Sequence, residues 1–383
     1  MSELFKIKIT EYKEFGKLPD PFLKQDGTRF ENPDEWDEMR ANLYKSAVEF
    51  QYGKQPPCPE FLEVEPTYTP GKARGGNTYL IHSGTKEKPI RFRLKLFLPN
   101  TEEKCPVVID GDGCFEYPYN REFLDKFLDN NIAFALFDRT EIAHDVQGEG
   151  RCKGAFYETY NDYNYGAFTA WAWGYSRVVD ALEVIDKTDN SLITFTGHSR
   201  GGKTAMLAGA LDERAAIVNP NETCAGACSC NRLFIKAIGE DGVERPSETA
   251  ASLAKMFPFW MGEEFNEMAE TPELLPFDSH FLKAMVAPRV LFVSEAGSDI
   301  WANPVGSWQT TKAAQEVYKF LGKEENLYWY FRNGTHYHAI EDVEKLVSVI
   351  KKVKYGEPLC DGFFKTPFKE PPLMYDWKNP LDK

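Results

Sequence analysis

From about residue 90 onward the apolar positions of this chain follow two periods that take turns. In IRFRLKLFLP (90–99), Phe92, Leu94, Leu96 and Leu98 fall on alternate positions, which places them on one face of a half-buried strand. PVVIDG (106–111) is a short apolar run ending at glycine, the pattern of a strand buried on both faces. A helix is predicted over Phe123–Leu128, and IAFALFD (132–138) predicts the next strand. Phe168, Trp171, Tyr175, Val178, Leu182 and Ile185 then recur at steps of three and four, marking one face of a helix. The alternation continues with strand SLITFTG (191–197), a helix from Gly201, and strands AAIV (215–218) and RVLFVSEAG (289–297). Helix TTKAAQEVYKFLG (310–322), strand NLYWYF (326–331) and helix EDVEKLVSVIKKV (341–353) close the series. Strands alternating with helices predict an α/β fold, a mainly parallel sheet covered on both faces. Ligands of such sheets bind at the carboxyl ends of the strands.

Residues 1–75 break this rhythm, being rich in proline, charge and turn signals such as LPDPFLKQDGTRFENPDEW. One helix is predicted there, with Asn32 as N-cap and Pro33 as first helical residue, running through Trp36 and Tyr44 to Phe50. The expectation is a single domain over 1–383, with 1–75 as an extension wrapping the core.

Composition narrows the function classes. The formal charge of −14 repels phosphate backbones and anionic lipid, arguing against nucleic acid or a membrane surface as partner. Aromatic residues make up 14%, enough to fill a large core or line a sugar pocket. The opening residues show no secretory h-region, so the chain is expected to be cytoplasmic, with its eight cysteines as thiols. Cys224, Cys228 and Cys230 are spaced C-x3-C-x-C, but no second Cys/His cluster completes a metal site. No metal or cofactor is expected.

Gly197-His198-Ser199-Arg200-Gly201 fits G-x-S-x-G, preceded by an apolar strand and followed by a small-residue helix. That context places Ser199 on a tight strand-to-helix turn with its hydroxyl exposed above the sheet. The start of the helix offers free N–H groups to a developing oxyanion. A serine nucleophile needs a base. Three histidines follow it: His280, His336 and His338. His336 lies in the turn straight after the last strand, where the base belongs; His338 is the substitute, and His280 reads as structural. Two acids fit, Glu222 in VNPNETCAG and Asp299 in SEAGSDIWANP, and the sequence does not choose between them. Backbone N–H groups near Gly113 and Cys114, in DGDGCFEY, are candidates for a second oxyanion donor, and Arg200 is a candidate side-chain donor.

These stretches, with LPDPF, DGTRFENPDEW, AWAWGYSRVVDALE, GHSRGGK, NPNE, LPFDSHFLKAMVAPR and DIWANP, resemble the glucuronoyl esterases in their bacterial branch. The likeness runs over nearly the whole length and implies an α/β-hydrolase fold. It further implies Ser199 as nucleophile, His336 as base, and Glu222 as the acid peculiar to the family, with Asp299 at the fold's usual acid position. Arg200 would assist the oxyanion, Lys203 would bind sugar hydroxyls, and Trp301 would pack against the uronate. Trp171 and Trp173 are further candidates to explain the aromatic excess. His198 stands where fungal members carry Cys, and a packing role with its polar atoms satisfied by backbone is expected of it.

The expected activity is hydrolysis of a carbohydrate ester, an ester of (4-O-methyl-)glucuronic acid, through a glucuronoyl-enzyme. The absence of an export signal favours a small imported ester. The alternatives are an acetyl or other carboxylesterase acting on sugar esters, and a binding protein that kept the fold without turnover.

Overall fold

The structure is a computed structural model and describes residues 3–67, 76–148, 153–161 and 164–382. Cys152 lies outside the described residues. Among the described residues, twelve strands form two sheets. They are β1 (Lys8–Glu14), β2 (Phe61–Thr67), β3 (Gly76–Gly84), β4 (Pro89–Phe97), β5 (Cys105–Asp110), β6 (Ala133–Phe137), β7 (Thr188–His198), β8 (Ala215–Asn221), β9 (Leu233–Ile238), β10 (Glu244–Pro246), β11 (Val290–Ala296) and β12 (Leu327–Arg332). The main sheet has the order β12-β11-β8-β7-β5-β6-β4-β3-β2. From β12 to β6 all neighbours are parallel, while β4, β3 and β2 extend that edge antiparallel. The expected α/β-hydrolase architecture, a mainly parallel sheet with helices around it, is therefore present.

The sequence reading ended the N-terminal extension at 75, yet Phe61–Thr67 is already a strand of the main sheet, paired with β3 in full register. Its sequence FLEVEPT is half charged and polar because an edge strand has only one face to bury. Asn32 does cap a helix: its side chain accepts from the Asp34 N–H, and Glu35 reaches back to the Asn32 N–H. The helical stretch runs in 3-10, α and π pieces from Pro33 to Tyr52. β1 pairs with β9 in a small antiparallel sheet with β10. The Ile7 N–H donates to Pro367 O, Leu18 N–H to Met374 O, and the Trp377 indole to Leu18 O. The two ends of the chain are thus stitched to one another.

Helices cover both faces of the main sheet. On one lie Ala167–Ile185, Arg200–Leu211 and His280–Val286, whose buried side chains share one large core. Arg121–Leu128 and Ile340–Tyr355 pack on the other. Trp171 and Trp173 belong to the first core and are buried, so their aromatic surface stabilises packing. Each such side chain contributes on the order of 2–3 kcal/mol by burial. The same helix also sets up the site. Tyr175 Oη accepts the Gly111 N–H (2.9 Å) at the end of β5 and donates to Thr196 O (2.7 Å) near the end of β7. One buried hydroxyl so fixes the two strand ends that carry the chemistry.

Candidate active site

Ser199 follows β7 and begins the helix Arg200–Leu211 with φ 58° and ψ −116°. A non-glycine residue in that region is strained, and such turns occur where structure holds them for a purpose. Here the Ser199 N–H donates to Asn221 O (2.9 Å), and Ser199 O accepts from Lys203 N–H. A Cβ on Gly197 would lie 2.5 Å from the Gly201 carbonyl, and one on Gly201 would collide with the Asp112 carboxylate. Both glycines are required by the close approach of strand, helix and loop.

His336 Nε2 lies 2.9 Å from Ser199 Oγ, and His336 Nδ1 lies 2.6 Å from Asp299 Oδ2. The relay from hydroxyl to imidazole to carboxylate is therefore continuous, on loops after β7, β11 and β12. Glu222 is close as well, its Oε2 3.6 Å from His336 Nδ1, which is beyond hydrogen-bond range. Its other oxygen pairs with Arg332, which Asp342 also holds through Nε at 3.1 Å. Glu222 is fully buried, and Oε2 has no hydrogen-bond partner. Both acids expected from the sequence thus converge on one imidazole, with Asp299 the one in contact.

The electrostatics separate them. Glu222 is pushed well above the ordinary carboxylate range by burial and then by repulsion from Asp299, with Arg332 opposing. Glu222 and Asp342 share the Arg332 guanidinium, and Asp342 is likewise raised above the ordinary carboxylate range, chiefly by burial. Burial disfavours the imidazolium of His336, but the hydrogen bond and charge of Asp299 outweigh it and hold its pKa above the usual value.

The substitute base His338 and the structural His280 lie elsewhere. His338 packs behind the site between Tyr117, Phe123 and His198, and its Nδ1 is shielded from water with no partner. Its pKa is driven well down, first by burial and then by His198. His280 is buried, donates from Nε2 to Pro19 O (2.9 Å), and stacks on Trp377. It ties the N-terminal segment to the core. His198 departs from expectation: its polar partner is a side chain, Asn221 Oδ1 at 2.7 Å from Nδ1, and its ring lies 4.9 Å from that of His336. Burial and the neighbouring His336 lower its pKa to about 4, so a neutral imidazole backs the base.

Of the expected oxyanion amides, Gly113 is committed, since its N–H donates to Phe137 O (2.9 Å) as part of the link between β5 and β6. The amides of Asp112 and Phe115 are also bonded within the loop. Among the described residues, the Cys114 amide has no hydrogen-bond partner. Asp112 presses this loop against the nucleophile turn, accepting the His198 N–H at 3.0 Å. The Arg200 guanidinium pairs with Asp145 (3.0 Å) and lies over the Trp260 ring.

Lys203 is 2% exposed, its Nζ donating to Glu248 Oε2 (2.7 Å) and Ala225 O (2.5 Å). Glu248 donates its own N–H to the carbonyl of half-buried Trp301 (2.9 Å). The sequence reading missed Glu248, Asp145, Trp260 and Arg332; each is a lone residue in a loop or at a strand end, with no period to reveal it. Cys224, Cys228 and Cys230 are buried free thiols. His198, Glu222 and His336 offer ligand atoms within 4.8 Å of one another. Zinc would need such atoms roughly 3.5 Å apart, and each residue already has a bonded partner in the relay or its supports. Among the described residues, no helix is long and apolar enough to cross a membrane.

The family model described as "Glucuronyl esterase, fungi" matches residues 81–322. The 4-O-methyl-glucuronoyl methylesterase of Schizophyllum commune is 30% identical over 359 residues, spanning 91% of this chain and 85% of that protein. The chain belongs to the glucuronoyl esterase family. The family's enzyme from Hypocrea jecorina, also a 4-O-methyl-glucuronoyl methylesterase, is 29% identical and covers 95% of this chain and 76% of its own length. Among solved structures, a carbohydrate esterase family 15 glucuronoyl esterase from Caldicellulosiruptor kristjansonii superposes with a TM-score of 0.82 at 28% identity, covering 95% of this chain and 97% of that one. A Sporotrichum thermophile glucuronoyl esterase, solved with methyl 4-O-methyl-beta-D-glucopyranuronate, gives 0.73 at 26% identity, with 94% and 92% covered.

Proposed function

We propose that this glucuronoyl esterase family member hydrolyses esters of glucuronic acid or its 4-O-methyl ether by acyl transfer through Ser199. The observation that carries the reading is the unbroken Ser199–His336–Asp299 relay, 2.9 and 2.6 Å. His336 takes the serine proton as Oγ attacks the ester carbonyl. The raised pKa of His336 suits it to keep that proton through the tetrahedral intermediate and then give it to the departing alcohol. Water, deprotonated by the same imidazole, then hydrolyses the glucuronoyl-Ser199 ester. Asp299 fixes the tautomer with Nδ1–H toward itself, leaving Nε2 free to accept from Ser199. Glu222 stands beside it as a second acid whose own charge is suppressed.

The oxyanion forms beside the first amides of the helix at Arg200, which have no intrahelical partner, with the Arg200 guanidinium and the Cys114 amide as further donors. Lys203, held by Glu248, and the neighbouring Trp301 form the subsite for the sugar: a fixed ammonium and carboxylate for hydroxyls, an indole for the ring. The substrate is a small-molecule uronate ester.

The test is Ser199→Ala assayed on methyl glucuronate. Hydrolysis is expected to fall by at least about 10⁴-fold; turnover at the parent rate would reject the mechanism. Comparing methyl glucuronate with acetylated xylose, in the parent and in Lys203→Met, separates a uronate esterase from an acetylesterase. Only the uronate reaction should depend on Lys203.

A further inference from the structure

We propose that Asp145 is a positioning residue for the reaction, setting the orientation of the Arg200 guanidinium beside the nucleophile; the proposal rests on the reading of Arg200 as an oxyanion donor. Asp145 lies in the loop after the 3-10 turn Arg139–Glu141, 55 residues before Arg200. Its carboxylate is nearly buried and serves three donors. Oδ2 accepts from Arg200 Nη1 (3.0 Å) and Arg139 Nη2 (3.3 Å), and Oδ1 accepts from the Trp260 indole N–H (3.0 Å).

Trp260 also supports Arg200 directly. The guanidinium lies 4.8 Å from its ring and 5.6 Å from that of Phe257, and the two rings stack at 3.8 Å. Arg200 is therefore clamped on one edge by a carboxylate and on one face by an indole, which share a hydrogen bond. A planar guanidinium held on edge and face has its remaining donors aimed in a fixed direction. Among the described residues, Nε and Nη2 of Arg200 carry no bond and stay available to a ligand.

The clamp is also tied to the nucleophile turn. Arg139, fully buried, pairs with Asp112 as well as Asp145. Asp112 accepts the His198 N–H and presses against Gly201. An ion-pair chain Asp112–Arg139–Asp145–Arg200 thus leaves the underside of the turn and returns to the residue after the serine. Orientation supplied in advance costs nothing at the moment of reaction, which is what oxyanion stabilisation requires. Asp145 also draws some positive field away from the site, so the two effects oppose in sign, and the proposal is that orientation dominates.

The experiment measures kcat and KM on methyl glucuronate for the full chain, Arg200→Ala, Asp145→Asn, Trp260→Phe and the doubles with Arg200→Ala. Arg200→Ala is expected to lower kcat by about 10²-fold. Asp145→Asn should lower kcat by about tenfold with KM within about twofold, and Trp260→Phe, which keeps the stacked ring but loses the indole donor, by about twofold to threefold. In the Arg200→Ala background neither change should lower kcat further. An equal loss in that background, or a rise in kcat in Asp145→Asn, overturns the positioning role while leaving the Arg200 reading intact. Parent kcat in Arg200→Ala removes the oxyanion reading and the proposal together. Thermal unfolding of each variant registers any loss of fold, and Trp260→Phe carries the test alone if Asp145→Asn does not fold.

Discussion

His336 and His338 stand two residues apart on the same turn and occupy opposite environments. The front of the turn is lined by Asp299 and Glu222 and open to solvent, with the His336 side chain 36% exposed. The back is lined by Tyr117, Phe123 and the His198 ring, which stacks nearly parallel at 5.3 Å on His338. The same side chain is held basic in front and neutral behind. Carboxylate contact, more than chain position, decides which imidazole can act as base.

The comparison breaks if the two histidines exchange roles. His336→Ala should lower kcat on methyl glucuronate by at least about 10⁴-fold. His338→Phe, which fills the same aromatic pocket and removes a buried unpartnered nitrogen, should stay within about threefold; a loss matching that of His336→Ala would refute the assignment. The same contrast applies to the acids. Asp299→Asn, which leaves His336 without its bonded carboxylate, should cost about 10³-fold in kcat, and Glu222→Gln less than about tenfold. The reverse order would make Glu222 the working acid.

Two titrations sharpen the picture further. Catalysis needs neutral His336, whose pKa lies above 6.5, so kcat/KM should rise with pH through a midpoint above that value. Asp299→Asn should move the midpoint down, because the contact that favours the imidazolium is gone. The second titration is of stability. His198 and His280 both have pKa values lowered to about 4, chiefly by burial. The unfolded chain binds more protons than the folded one between about 6.5 and 4. Stability is thus full above 6.5 and falls by up to roughly 3 kcal/mol per group as pH drops toward 4. Urea unfolding at several pH values should give that slope, reduced in His280→Gln.

The sheet and the nucleophile turn were legible because they are written as periods and as one local motif. β5, β6, β7, β11 and β12 fall where alternation or apolar runs placed them, and Gly197–Gly201 is a turn whose glycines are demanded by contact with Asp112 and by each other. The choice between Glu222 and Asp299 was not legible, since it rests on 3.6 Å against 2.6 Å from one nitrogen. Pairings such as Lys203–Glu248 and Glu222–Arg332 join residues 45 and 110 apart, and no single-chain pattern marks them. The edge strand Phe61–Thr67 was hidden by its charge, and the engagement of the Gly113 amide by its partner, the Phe137 carbonyl 24 residues further on.

The stitching of the chain's two ends bears on synthesis at the ribosome. Lys6 meets Thr366, 360 residues further on, and among the described residues β1 pairs only with β9. At roughly 5–20 residues per second of translation, the first strand waits about 20–70 s for the last segment that holds it. Until β9 emerges, KITEYKE is an unpaired edge, and its alternating charges keep it soluble.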